Sequence, residues 1–294
     1  MDEKLEIIKN KKGFIAALDQ SGGSSGKTLK LYGIGEEEYQ TDEEMFELIH
    51  TMRKRVLCND AFLSDKIIGV ILFEQTMNKE VQGVKTANYL WDEKGIVSFL
   101  KIDKGLEEEK DGVCLMKEIP SLEETLEMAK AQGIFGTKMR SVIQSPNKEG
   151  IRKLIEQQFF YAKEIAKKGL VPIIEPEVSI GSTDKLECEK IMKEEIDRQL
   201  SMLDENSKVM FKFTIPEVDN FYLEYTKNEK VLRVVALSGG YNRAEACQKL
   251  AKNHDVIASF SRALLEGLTV HQTEEEFERV LSSSIDEIYQ ASIT

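Results

Sequence analysis

The sequence predicts an α/β fold, a single (β/α)8 TIM barrel that spans residues 1–294 and ends in a C-terminal helix. The first observation is that short β-rich runs alternate with segments of helical periodicity about eight times. Such alternation indicates a parallel sheet, because parallel strands need a crossover helix between them. The second is that charged residues stand at the C-terminal ends of nearly all these runs. A closed barrel gathers those ends around one mouth, whereas an open doubly wound sheet, with strands about 4.8 Å apart, spreads them over more than about 30 Å.

Eight apolar runs are the predicted strands, and they are rich in the β-branched, aliphatic and aromatic residues that strands favour. In chain order the runs are residues 13–19, 66–73, 97–103, 136–143, 170–178, 209–216, 231–239 and 256–264. The segments between them repeat apolar residues every three or four positions, which predicts helices packed on the sheet.

Three of the predicted helices begin with a capping box, in which a Ser or Thr side chain accepts from the backbone N–H of a Glu three residues later. The pairs are Thr41 with Glu44, Ser121 with Glu124, and Thr273 with Glu276. The last pair begins the predicted C-terminal helix.

Composition argues against several classes of protein. The 294 residues carry a formal charge of −12, which disfavours a surface that neutralises nucleic-acid phosphates. The longest apolar run, residues 67–73, is far shorter than the roughly 20 residues of a membrane span, and the first residues lack the apolar core of a signal peptide. The four cysteines are scattered without a CxxC pair, which is typical of free thiols in the cytoplasm. We therefore expect a cytoplasmic protein without nucleic-acid or membrane partners, and the sequence leaves open whether it forms a homo-oligomer.

Ionisable residues stand at or near the ends of seven predicted strands. They are Asp19, Glu74, Lys101, Asp103, Lys138, Arg140, Glu175, Glu177, Lys212 and Arg262. Any one of them could be a solvated strand end, since charged residues often lie at element boundaries. Seven strands with charge at the same end favour one site that binds an anion and performs acid–base chemistry.

Two glycine-containing segments are candidates for binding phosphate. The first follows the seventh strand and contains Ser238 and Gly239, and it is expected to lie beside Arg262 of the eighth strand. Barrels commonly bind phosphate after strands seven and eight, where backbone N–H groups face the anion. The second, residues 19–27, contains Ser21, Ser24 and Lys27, and its glycine spacing does not match a P-loop.

The three histidines do not suggest a metal site. His50 lies in a helical segment, His254 precedes the eighth strand, and His271 is in a late loop. The sequence contains no HxH or HExxH motif and no Cys/His cluster. We therefore expect neither a metal nor a cofactor, which leaves an amine nucleophile as the best candidate for the chemistry.

Three strand lysines could supply that amine. A buried lysine can become neutral and attack a ketone to form a Schiff base. Lys101 is two residues from Asp103, which would favour its charged form if the two side chains face each other, and Lys138 is two residues from Arg140. Lys212 has the most apolar neighbours and no carboxylate within four residues, so it ranks first without excluding the others.

The sequence resembles the class I fructose-bisphosphate aldolases in their compact bacterial form. The blocks that carry the resemblance cover almost the whole chain in order: GFIAALDQS, ILFEQT, FLKIDKG, FGTKMRS, LVPIIEPEV, VMFKFTIP, VVALSGG and SFSRAL. The resemblance implies a (β/α)8 barrel that uses a Schiff-base lysine and no metal. It also implies reversible cleavage of fructose 1,6-bisphosphate to dihydroxyacetone phosphate and glyceraldehyde 3-phosphate, in glycolysis and gluconeogenesis.

The resemblance assigns roles to individual residues. It makes Lys212 the Schiff-base lysine, Glu175 the acid/base and Glu177 a companion carboxylate near that lysine. Asp19 and Lys138 would polarise hydroxyls and keep the amine neutral. The expected substrate-binding residues are Lys101, Arg140, Ser238, Gly239, Arg262, Ser21 and Ser24. Among these, Ser238, Gly239 and Arg262 match the site for the C1 phosphate of the ketose.

Several positions depart from the family pattern. Gln20 stands where many relatives have Glu, Ser261 where many have Gly, and Thr28 where a basic residue is common. The chain also lacks the terminal tyrosine that animal relatives use in proton transfer, so the group that protonates the enamine stays open. Two other functions remain as alternatives: a Schiff-base aldolase for another ketose phosphate, and a barrel that binds a sugar phosphate without catalysis.

Overall fold

The computed structural model describes residues 2–21 and 23–294. The strands are β1 (Phe14–Leu18), β2 (Ile67–Leu72), β3 (Glu80–Val81), β4 (Val84–Lys85), β5 (Val97–Lys101), β6 (Val113–Cys114), β7 (Gly136–Ile143), β8 (Val171–Val178), β9 (Val209–Thr214), β10 (Val231–Leu237) and β11 (Ile257–Ala258). The helices are α1 (Asp2–Asn10), α2 (Gly23–Tyr32), α3 (Asp42–Cys58), α4 (Glu74–Asn78), α5 (Thr86–Asp92), α6 (Leu122–Ala131), α7 (Lys148–Lys167), α8 (Lys185–Ser201), α9 (Arg243–Leu250), α10 (Arg262–Leu265) and α11 (Glu274–Ser292).

Eight of the strands form a nearly closed parallel barrel in the order β1-β2-β5-β7-β8-β9-β10-β11. The seam between the first and last strands is held by a hydrogen bond of 3.1 Å from the backbone N–H of Ala17 to the carbonyl of Phe260. β6 pairs antiparallel with β7, and β3 forms a separate hairpin with β4. The predicted fold class and its eight strands are confirmed.

The eighth strand is shorter than predicted. The sequence predicts residues 256–264, but β11 covers only Ile257–Ala258 and Arg262 begins helix α10. The carbonyl of Ser261 accepts from the backbone N–H groups of Leu264 at 3.1 Å and Leu265 at 3.2 Å, so the chain turns into a helix there. The placement of Arg262 on a strand was therefore wrong, although the residue still lies at the expected end of the barrel.

The three predicted capping boxes have different outcomes. At Thr273 both reciprocal hydrogen bonds with Glu276 are present. Thr41 accepts from the backbone N–H of Glu44, but the Glu44 carboxylate accepts from Gln40, so only half of that box forms. Ser121 makes no capping hydrogen bond, because its ψ of 44° departs from the extended backbone that is typical of an N-cap.

Apolar side chains lie on both faces of the barrel sheet, as expected for a parallel sheet that is covered on both sides. One cluster fills the barrel interior and includes Ile15, Ile68, Phe99 and Met210. A larger one lies between the strands and the surrounding helices. Ile8 of α1 belongs to the inner cluster, so α1 covers the N-terminal end of the barrel.

None of the helices in residues 2–21 and 23–294 is long and apolar enough to cross a membrane.

Candidate active site

A cavity of about 590 Å³ lies at the C-terminal end of the barrel strands. All twelve residues that the sequence predicts for the site line it: Lys212, Glu175, Asp19, Lys138, Glu177, Lys101, Arg140, Ser238, Gly239, Arg262, Ser21 and Ser24. Six lysine and arginine side chains face four carboxylates in this lining, so the cavity is locally positive in a protein of net charge −12. Such a cavity suits an anionic ligand.

Lys212 points into the cavity because of the alternation of side chains along β9. Phe211 and Phe213 lie on the other face of the strand and stack on each other with ring centroids 5.1 Å apart. A strand alternates its side chains between two faces, so the lysine between two outward phenylalanines must point inward. Lys212 as a residue is 4% exposed, and its Nζ lies 3.1 Å from Oε1 of Glu175 on the neighbouring β8.

Lys138 lies between two carboxylates in the same cavity. Its Nζ is 2.6 Å from Oδ2 of Asp19 and 2.9 Å from Oε2 of Glu175. Burial opposes the charge of Lys138, but the two carboxylates outweigh it and hold its pKa above the usual value. Glu175 therefore lies between a firmly charged Lys138 and the amine of Lys212.

Asp19 is ionised although it is buried. Burial on its own would raise the pKa of this carboxyl, but the cations Lys138 and Lys212 outweigh burial and hold its pKa below the usual range. The first-strand aspartate thus supplies a fixed negative charge on the β1 side of the cavity.

Glu177 contacts a different cation from the one that the resemblance implies. Its Oε2 lies 2.6 Å from Nε of Arg140, while the carboxylate in contact with Lys212 is Glu175. Burial disfavours the charge of Arg140, but Glu177 outweighs it and raises the pKa of the guanidinium. Glu177 and Arg140 form an ion pair on the rim of the cavity.

Asp103, one of the charged residues at the predicted strand ends, lines the cavity, although the sequence analysis gave it no catalytic or binding role. Its Oδ1 lies 2.6 Å from Nζ of Lys101, and its Oδ2 accepts from the backbone N–H of Arg140 at 3.2 Å. The ion pair shows that the side chains of Lys101 and Asp103 face each other, which the sequence analysis had left as a condition. The spacing of two residues in the sequence was the signal that could have added Asp103 to the site.

The segment after β10 brings small residues next to Arg262. Gly239 has a φ of +64°, and a Cβ on it would lie 2.8 Å from Cγ2 of Ile180, so both backbone and space require glycine there. A Cβ on Gly240 would lie 3.9 Å from a guanidinium nitrogen of Arg262. Ser238 is buried beside them, and helix α9 begins a few residues later at Arg243.

The segment after β1 forms the opposite side of the cavity. The backbone N–H of Ser21 donates to Oγ of Ser24 at 2.9 Å, and that hydroxyl donates back to the carbonyl of Ser21 at 2.7 Å. Lys27, one turn into α2, also lines the cavity and is exposed. This turn places the second predicted phosphate-binding segment at the cavity.

Within residues 2–21 and 23–294, no group of three or more His, Cys, Asp or Glu residues could hold a metal ion. The carboxylates of the cavity instead lie next to lysine or arginine side chains.

A family model described as "Fructose-bisphosphate aldolase class-I" matches residues 2–230 of the chain. The chain belongs to the class I fructose-bisphosphate aldolase family. Three curated class 1 fructose-bisphosphate aldolases are similar to this aldolase over at least 99% of its length. The protein from Clostridium acetobutylicum is 55% identical, and the match covers 100% of this chain and 99% of that protein. The protein from Porphyromonas gingivalis is 54% identical, with 99% of both chains covered. The protein from Synechocystis is 53% identical, with 99% of this chain and 97% of that protein covered.

Among solved structures, the fructose-bisphosphate aldolase from Plasmodium falciparum, in complex with TRAP and a small-molecule inhibitor, matches this aldolase with a TM-score of 0.79. The match covers 99% of this chain and 93% of that one at 21% identity, and it shows the fold alone. The resemblance stated from the sequence is confirmed, as is the assignment to the class I aldolase enzymes. The roles of individual residues stay predictions.

Proposed function

We propose that Lys212 is the Schiff-base lysine through which this class I aldolase cleaves fructose 1,6-bisphosphate reversibly to dihydroxyacetone phosphate and glyceraldehyde 3-phosphate. The observation that carries the proposal is the buried amine of Lys212, 3.1 Å from a Glu175 carboxylate inside a cavity lined by six cationic side chains. A nucleophilic amine needs an adjacent acid/base, and the substrate needs positive charge for its two phosphates.

The first half of the reaction forms the iminium. The unprotonated amine of Lys212 attacks the C2 carbonyl carbon of the open-chain ketose, the carbonyl oxygen takes up a proton, and the attacking nitrogen gives one up, which yields a neutral carbinolamine. A second proton on that oxygen lets it leave as water, and the nitrogen lone pair forms the C=N bond. Glu177 assists these proton transfers.

The second half breaks the carbon–carbon bond. Glu175 removes the proton of the C4 hydroxyl, the oxygen lone pair forms the aldehyde, and the C3–C4 electrons move to the iminium nitrogen to give an enamine. Glyceraldehyde 3-phosphate leaves. Protonation of C3 and addition of water then release dihydroxyacetone phosphate and return the Lys212 amine. Asp19 and Lys138 polarise the hydroxyl groups of the bound substrate.

Two cations in the lining supply charge for phosphates. Among the described residues, Lys27 and Arg262 form no ion pair with a carboxylate, whereas Lys101, Lys138, Arg140 and Lys212 do. We assign the C1 phosphate to Arg262 with the Ser238–Gly239 backbone. The second phosphate falls to the opposite side, where the segment of Ser21 and Ser24 lies near Lys27 and Lys101. A substrate with a phosphate at each end fits this arrangement better than a monophosphate.

Trapping with borohydride tests the nucleophile. Reduction in the presence of dihydroxyacetone phosphate should add one substrate-derived mass to the peptide that contains Lys212, and Lys212→Met should abolish both the label and cleavage. Lys101→Met serves as the matched control and should keep the label on Lys212. Labelling that persists in Lys212→Met would refute the assignment.

A substrate panel tests the specificity. Kinetics with fructose 1,6-bisphosphate, fructose 1-phosphate and tagatose 1,6-bisphosphate distinguish this function from an aldolase for another ketose phosphate, since loss of one phosphate should mainly raise KM. A barrel that only binds sugar phosphates would release no triose from any of them. A glycolytic role in the cytoplasm belongs to the same proposal, and the four free cysteines are in keeping with it.

A further inference from the structure

Arg53 of α3 is the largest side chain that the barrel buries completely. Its Nη1 donates to Oγ1 of Thr76 at 2.7 Å, and its Nη2 donates to the backbone carbonyl of Gln20 at 2.6 Å and to the Gln20 side chain at 3.1 Å. All three acceptors are neutral. Among the described residues, its Nε has no hydrogen-bond partner and no carboxylate pairs with it.

Such a group is costly to bury, so its position calls for a reason. Burial lowers the pKa of Arg53 to about 10, against the opposing charge of Asp19, and the guanidinium therefore stays protonated at neutral pH. If this position only had to fill space in the core, an uncharged leucine or methionine would pack there as well. The contacts of Arg53 show what its charge holds in place.

The side chain of Gln20 extends these contacts across the seam of the barrel. Its Nε2 donates to Oγ of Ser261 at 2.7 Å. β11 has only two residues, and the backbone hydrogen bond of Ala17 in β1 goes to Phe260, two residues beyond the end of β11, so the described part of the backbone holds the seam weakly. The hydrogen bond of Gln20 continues the closure past the ends of both strands.

Gln20 and Ser261, which this hydrogen bond joins, are each adjacent in sequence to a residue of the proposed site. Gln20 follows Asp19, and Ser261 precedes Arg262. We infer that Arg53, Gln20 and Ser261 act together as positioning residues that hold the phosphate arginine Arg262 at a set distance from the β1 side of the cavity. We call these three residues the Arg53 network. The inference rests on the proposed function for the role of Arg262.

The charge of Arg53 also contributes to phosphate binding. A buried cation with neutral acceptors adds a positive potential that water screens poorly, and that potential extends to the nearby phosphate site. Gln20→Glu separates the two effects. The carboxylate can still bind the Ser261 hydroxyl, which then donates, but it forms an ion pair with Arg53 and cancels its field.

Ser261→Ala is the primary test, because it removes one hydrogen bond and leaves the charges and the core in place. We expect KM for fructose 1,6-bisphosphate to rise about 3- to 10-fold with kcat within about 2-fold, since the lost bond holds a binding group and not a reacting one. Ser284→Ala, which deletes a buried serine hydroxyl bound to Val280 of α11, is the matched control and should leave both constants unchanged.

Binding of inorganic phosphate, measured by calorimetry, tests the network without catalysis. Its Kd should rise by a similar factor in Ser261→Ala and in Gln20→Met, and Gln20→Glu should weaken phosphate binding even where the seam is intact. Arg53→Lys should bind phosphate more tightly than Arg53→Met, because the lysine keeps a positive charge. If Arg53→Met fails to fold, the phosphate Kd values of the Gln20 and Ser261 variants still test the inference. An unchanged phosphate Kd in Ser261→Ala would overturn the inference. A missing borohydride label on Lys212 would instead overturn the proposed function.

Discussion

Removal of the Lys138 charge should destabilise the protein in a way that depends on pH. In Lys138→Met the carboxylate of Glu175 keeps its contact with Lys212, but the buried Asp19 loses the cation 2.6 Å from it. Deleting one partner of a buried ion pair typically costs about 3–5 kcal/mol, because the other charge is left without compensation. An unfolding entropy of about 2.1 cal/mol/K per residue converts this, for 294 residues, to a fall in Tm of about 5–8 °C.

The sign of the pH effect follows from the depressed pKa of Asp19. A carboxyl whose folded pKa lies below its unfolded value stabilises the fold above about pH 4, and that contribution is lost as pH falls through the folded pKa. The variant lacks most of this contribution. The difference in Tm between wild type and Lys138→Met should therefore be full above about pH 5 and should shrink only as the pH falls below about 4, towards the depressed pKa of Asp19.

Differential scanning calorimetry from about pH 2.5 to pH 8 measures both the loss of stability and its dependence on pH. Asp19→Asn in the Lys138→Met background should restore more than half of the lost stability, since it removes the uncompensated charge. Lys168→Met is the control: Lys168 pairs with Glu123 on the surface, and exposed ion pairs contribute little to stability because water and salt screen them. The reasoning fails if Lys138→Met melts within about 1 °C of wild type at pH 7, or if its deficit in Tm is as large at about pH 2.5 as at pH 7.

The remaining predictions concern the N-terminal ends of two helices and the proposed phosphate-binding segment after β10. Thr273→Ala should lower the free energy of unfolding by about 1 kcal/mol because it breaks a complete capping box, whereas Ser121→Ala should change it by less than about 0.3 kcal/mol because Ser121 caps nothing; urea titrations of both variants compare them directly. Gly239→Ala should raise KM at least about 10-fold, since its φ is positive and the new Cβ would lie 2.8 Å from Ile180, and Ile180→Ala in the same chain should recover only part of that loss because the backbone strain remains. A normal KM in Gly239→Ala would show that the segment does not need its glycine geometry.

The sequence predicted the barrel and most of the cavity because two periodic signals carry that information. Apolar runs with crossover helices predict parallel strands, and a lysine or glutamate at a strand end predicts where its side chain must point. Lys212 is the clearest case, since its phenylalanine neighbours leave one face for the amine.

What the sequence did not predict depends on contacts between distant segments. Arg53 and Gln20 are separated by 33 residues, and Gln20 and Ser261 by 241, so no local sequence pattern predicts the hydrogen bonds between them. The early end of β11 has a different, local origin: the apolar residues 256–264 look extended, but the Ser261 carbonyl accepts from backbone N–H groups three and four residues later and starts a helical turn. The pairing of Glu177 with Arg140 likewise depends on the register of β7 against β8.

The aromatic residues on the outer face of β9 link folding to chemistry. Phe213 stacks on Tyr222 with centroids 4.1 Å apart, and Phe211 packs against Phe159 of α7. A shift of β9 by one residue would turn both phenylalanines into the cavity and bury the amine of Lys212 among aromatic rings. That misregistered state would lose core packing and would also displace Lys212, the proposed nucleophile, so the energy that keeps β9 in register also keeps inactive conformers of the enzyme rare.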